Sequence, residues 1–141
     1  MIETILIAVE NQRERMQPVI DHAAEMAAGL DADVVLYHVY EDEEFQSLLE
    51  ARNIESADPD ELARQNATVE AAAATLRESG VDFSVGASTG DPSDELLGYI
   101  ASSDIDHVFV GSRRRSRTGK AIFGSVSQQI LFETDVPCTL V

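Results

Sequence analysis

The sequence predicts an α/β protein: an open five-stranded parallel sheet in the order 3-2-1-4-5, with helices on both faces. Three observations carry this. Short apolar, β-rich runs recur along the chain, stretches of helical periodicity separate them, and an Asp-Pro pair followed by an acidic residue opens a helix at two places. Strands alternating with helices in a short chain imply βαβ units with right-handed crossovers. At 141 residues the chain is read as one domain, 1–141, by the usual prior of about 150 residues.

The first strand is TILIAV, 4–9, a run apolar enough to be buried on both faces. A helical pattern follows from Met16 to Gly29, with Val19, Ile20, Ala23, Ala27 and Leu30 as its apolar positions. DADVVLYHV carries the second strand at 33–39, and VDFSVGAS, 81–88, the third. Between them EDEEFQSLLEARNIESA reads as an acidic, solvated stretch with one or two turns of helix. Asp58 as cap, Pro59 at the first helical position and Glu61 three residues after the cap then start a helix expected to reach Ser79. Asp91, Pro92 and Asp94 repeat the device, which gives a helix over 92–102. DHVFVGS, 106–112, is the fourth strand; a last helix over 125–133 leads into the fifth, VPCTLV.

Composition bounds the function. The chain carries 26 acidic residues against 10 basic ones, a formal charge of −16, and its only lysine is Lys120. Acids interleaved with periodic apolar residues describe a solvated globular surface, of the kind that keeps a protein hydrated in concentrated salt. That reading makes the chain a halophilic, cytoplasmic protein. No run of about 18 apolar residues and no signal-peptide pattern points to a membrane. The single cysteine, Cys138, lies in an apolar run and reads as a small buried hydrophobe. His22, His38 and His107 are scattered without metal-ligand spacing and read as structural; no metal site is expected.

Against this acidic background, VGSRRRSRTGKAIFGSVSQQIL gathers Arg113, Arg114, Arg115, Arg117 and Lys120. In the expected topology this segment leaves the carboxyl end of the fourth strand, and Glu10 ends the first. Ligands of open α/β sheets bind there, outside the strand ends where the strand order reverses. RTGKA is not the end of a P-loop, because Arg114 stands where the leading glycine belongs and Ala121 where the hydroxyl residue belongs. The spacing that does fit is Gly111, position 114, then Gly124 and Ser125. Gly111 would turn the chain off its strand, and Gly124 with Ser125 would open the last helix with N–H groups and a hydroxyl aimed at an anion. No aromatic residue interleaves with the arginines, so nucleic acid is not the expected partner.

With these residues in view the whole chain resembles the universal stress protein family, an adenine nucleotide alpha hydrolase-like, Rossmann-like group. ILIAVE, VVLYHV, GDPSDELL, VFVGS, FGSVSQQIL and VPCTLV carry the resemblance. It implies phosphate contacts at Gly111, Gly124, Ser125 and Val126, and nucleoside contacts at Ala8, Glu10 and Val39. Two positions depart from the family pattern: Glu10 stands for its usual Asp, and Arg114 for the second glycine. Arg114 either supplies a guanidinium in place of a backbone contact or narrows the phosphate path.

The resemblance implies a stress-response regulatory protein that binds ATP or a related adenine nucleotide, with or without magnesium, as a homodimer paired along the fifth strand. The alternative is a nucleotide-independent interaction module of the same family. No nucleophile paired with a general base can be assembled from the sequence, so the expectation is binding without catalysis.

Overall fold

The structure, a computed structural model, describes residues 1–111, 114–115, 121–122 and 124–141, the two short pairs by backbone alone. β1 (Thr4–Ala8), β2 (Asp33–Tyr40), β3 (Phe83–Thr89), β4 (His107–Val110) and β7 (Cys138–Leu140) form one sheet in the order β3-β2-β1-β4-β7. Every neighbouring pair is parallel, with Ile5 against Val34 on one side of β1 and against His107 on the other. The expected strand order is therefore observed, with β7 as the fifth strand of the sheet. A second, two-stranded antiparallel pairing joins β5 (Arg114–Arg115) to β6 (Ala121–Ile122). Sequence reading treated that segment as an irregular basic run.

β1 is central, and Ile5, Leu6 and Ile7 are wholly buried. Side-chain alternation divides them: Ile5 and Ile7 pack with α1 (Arg13–Leu30) and α4 (Ala67–Glu78), while Leu6 and Ala8 face α5 (Pro92–Ser102) and α6 (Ser125–Glu133). A third cluster, Tyr40, Phe45, Leu49, Leu62 and Ala63, lies where α2 (Asp42–Ala51) and α3 (Pro59–Arg64) meet the strand ends. Among the described residues no helix is long and apolar enough to cross a membrane.

Three elements depart from expectation. α1 begins at Arg13, ahead of the predicted Met16, and runs through Pro18. The acidic stretch after β2 is a ten-residue helix rather than a mostly solvated loop; Asp42, Glu43 and Glu44 occupy its first turn, where the helix dipole favours carboxylates. The helix predicted from Asp58 to Ser79 is two helices, because Asn66 interrupts it. Its side-chain oxygen accepts from the N–H groups of Thr68 (2.9 Å) and Val69 (3.2 Å), so Asn66 caps a new start. The starts of α3 and α5 follow the predicted device, with the Asp58 and Asp91 carboxylates accepting first-turn N–H groups.

Candidate functional site

β1, β2 and β4 all end at one rim of the sheet, and a cavity of about 200 Å³ opens there. Its walls are Ala8, Val9 and Glu10 from β1 and the residues after it, Tyr37 to Val39 from β2, and Val110 and Gly111 from β4. Pro92 and Leu96 of α5 and Val126 and Ser127 of α6 complete it. A second cavity of about 190 Å³ is lined by Glu10, Asn11, Gln12, Gly124, Ser125 and Val126. Glu10, Asn11 and Val126 line both, so the two adjoin across the end of β1. Together they reach the range of about 300–1,000 Å³ usual for small-ligand sites.

The predicted residues divide between them. Ala8, Val39 and Gly111 line the first cavity only, Gly124 and Ser125 the second only, and Glu10 and Val126 both. The predicted site position Arg114 has its backbone in β5, paired with Ile122. Its side chain, and those of Arg113, Arg115, Arg117 and Lys120, lie outside the described residues.

The glycine at 111 has a packing cause. Its backbone is not left-handed, but a Cβ there would come within 3.3 Å of Val19 Cγ2 and 3.9 Å of Met16 Sδ, so the close approach of α1 leaves a side chain little room. The carbonyl of Gly111 accepts a 2.8 Å hydrogen bond from the buried Ser127 hydroxyl, which ties the first turn of α6 to the end of β4. No side chain caps α6 among the described residues, and no acid stands in its first turn. Its leading N–H groups and the positive end of its dipole therefore meet the second cavity, a disposition suited to an anion.

Sequence reading did not single out Asn11 or Tyr37 as wall residues, and it favoured a solvated stretch for the acidic run 41–44, which also reaches the cavity. Asn11 is held on both sides: its amide donates to Glu44 Oε2 at 3.3 Å, and its oxygen accepts from Asn66 Nδ2 at 2.7 Å. This fixes the turn after β1 and brings Glu44 of α2 to the first cavity, with Glu41 beside it. Carboxylates at 41 and 44 thus reach the cavity from a helix start. Tyr37 stacks on Tyr99 with ring centroids 4.2 Å apart, and burial raises its phenol above the ordinary range.

His38 is 4% exposed, and its Nδ1 donates to the Val9 carbonyl at 2.7 Å. The carbonyl can only accept, so the proton sits on Nδ1 and Nε2 is left as an acceptor; burial lowers the ring's pKa below 6.5. Among the described residues no group of three or more His, Cys, Asp or Glu is placed to hold a metal ion.

The family model described as the universal stress protein family matches residues 1–141. The chain belongs to that family. A universal stress protein of Mycolicibacterium smegmatis is 38% identical over 65 residues, 45% of this chain and 50% of the relative, so the match spans half of that protein's length. The structure of a universal stress protein from Archaeoglobus fulgidus superposes with a TM-score of 0.72 at 24% identity, covering 99% of this chain and 98% of the other. A structure of the Archaeoglobus fulgidus universal stress protein in complex with dAMP gives a TM-score of 0.69 at 21% identity, with 99% and 98% covered. At these identities the superpositions establish the shared fold, and this universal stress protein keeps it over its full described length.

Proposed function

We propose that this universal stress protein is a cytoplasmic stress-response regulator that binds ATP or a related adenine nucleotide between β1 and β4 without turning it over. The observation that carries the reading is the pair of adjoining cavities. One has apolar walls and carboxylates, suited to a base and ribose hydroxyls; the other meets the uncapped start of α6, suited to phosphates. In this reading Ala8, Val39 and Leu96 flank the nucleoside, Glu10 accepts from the ribose, and Gly111, Gly124, Ser125 and Val126 hold the phosphates. The dAMP bound by the Archaeoglobus fulgidus relative supports an adenine nucleotide as the ligand class.

Calorimetry with ATP and with dAMP in molar KCl tests the assignment. Wild type is expected to bind, and Gly124→Val to lose binding at least tenfold by crowding the start of α6 in the second cavity. No heat with either nucleotide, or an unchanged affinity in the variant, overturns it. Arg114→Gly reports the role of that side chain: weaker binding makes it a ligand, tighter binding an obstacle. The substitution of Arg114 for the family's glycine favours a second reading, a nucleotide-independent interaction module, which loss of all binding would leave standing.

The chain is further proposed to pair with a second copy along β7, an edge strand ending in Leu140. Sedimentation at micromolar concentration in high salt is expected to give a dimer, and a monomer contradicts it.

A further inference from the structure

At the opposite edge of the sheet, β3 is covered over only part of its length. Backbone groups alternate along a strand between its neighbour and its free side, and three bonds fix the phase. The Asp82 carbonyl accepts from Val34 N and Gly90 N donates to the Tyr40 carbonyl, both toward β2, whereas Ala87 N donates outward to Asp60 Oδ1 at 2.7 Å. The odd-numbered residues Phe83, Val85 and Ala87 therefore turn their N–H and C=O groups away from β2. α3, through Asp60, occupies the edge at Ala87. No described residue bonds the outward groups of Phe83 and Val85.

Beside them lies a groove of about 710 Å³ between β3 and α4. Val69 and Ala73 form its apolar side, and Arg64 and Arg77 stand along it. Arg77 lies over the Phe83 ring, 5.3 Å from its centroid, and neither guanidinium has a carboxylate partner among the described residues. Glu70 is the only acid among the lining residues. Unpaired arginines beside a bare strand edge are conspicuous in a chain of charge −16 with ten basic residues, five of them in 113–120.

We infer that this groove is a docking site for an extended acidic segment of a partner protein, added as a short strand to the outer edge of Phe83–Val85. The backbone of Phe83 and Val85 supplies the ladder bonds, and Arg64 and Arg77 receive alternate carboxylates. The charge of the site selects an acidic segment over a basic or neutral one. The site is independent of the nucleotide cleft, which lies at the carboxyl ends of β1 and β4.

Fluorescence anisotropy with a labelled hexapeptide of alternating glutamate and valine, at about 0.15 M salt where screening over about 8 Å leaves local contacts dominant, tests this. The peptide is expected to bind wild type, and at least tenfold more weakly to the Arg64→Ala, Arg77→Ala double variant, whose changes are at exposed positions. A lysine-for-glutamate peptide and a backbone N-methylated acidic peptide are both expected to fail, the second because it keeps the charges and loses the ladder. Absence of binding to wild type, equal binding by the double variant, or full binding of the N-methylated peptide overturns the proposal. Dimer formation by wild type that Arg77→Glu abolishes would assign the groove to a second copy instead, and also overturns it.

Discussion

His38 shows how one buried side chain links strand geometry to solution behaviour. Its Nδ1 proton is committed to the Val9 carbonyl at the end of β1, and burial favours the neutral ring. A histidine whose folded pKa lies below its unfolded value of 6.5 leaves stability intact above that pH. As pH falls below 6.5 the unfolded chain takes up the proton first, and stability is lost down to the folded pKa. We expect the melting temperature to decline between pH 6.5 and 5, and the decline to be shallower in His38→Gln. His107, also lowered by burial and hydrogen-bonded to Thr139 Oγ1 at 2.7 Å, contributes in the same direction, so His107→Gln serves as the comparison. An unchanged slope in His38→Gln would remove the assignment of this titration to His38. The residue carries no sequence signal of this role, because its partner is a carbonyl 29 positions away.

At the scale of elements, the break between α3 and α4 is a structural joint rather than an accident of the chain. Asn66 caps α4 with its oxygen and holds Asn11 with its amide, so one side chain serves a helix start and the wall of the cleft. Asn66→Ala is expected to cost about 1–2 kcal/mol, the upper part of the range for a lost cap. Asn66→Asp keeps the acceptor and adds a charge that suits the helix start, and should recover most of that loss in denaturant unfolding. Equal destabilisation by both would show that the bond to Asn11 dominates. The contrast with α5 explains what sequence reading reaches. Asp91 and Pro92 announce a start unambiguously, and that helix is found at Pro92–Ser102 as predicted. Asn66 sits inside a continuing apolar period and reads as one polar residue of a longer helix. The cleft divides similarly: Glu10 follows from the end of the first strand and the topology, and Ala8 and Val39 from the family resemblance, whereas Asn11 and Ser127 reach it through tertiary bonds that no local pattern encodes.

For the molecule as a whole, charge is the dominant feature, and it acts differently on fold and on ligand. Carboxylates on the exposed faces of α1, α2 and α4 repel one another, and with five of the ten basic residues gathered in 113–120 few cations are interspersed to offset them. In dilute buffer this repulsion extends across the molecule, about 30 Å at 0.01 M salt, and in molar salt it is confined to about 3 Å. The same screening would remove long-range attraction between the basic segment and the proposed nucleotide, so that binding would rest on direct contacts, where a charge-assisted hydrogen bond contributes about 1.5–3 kcal/mol. On the halophilic reading, this acidic protein should therefore gain stability with salt, while the nucleotide affinity proposed for it falls only modestly. We expect the melting temperature to rise by at least about 5 °C from 0.01 M to molar KCl, the shift that roughly 1–2 kcal/mol of relieved repulsion produces in a chain of this size. Scanning calorimetry across a KCl series measures it, with sodium sulfate as a comparison that separates screening from general strengthening of apolar burial. A flat or falling melting temperature in KCl would contradict the halophilic assignment and leave the acidic surface as a solubility feature alone.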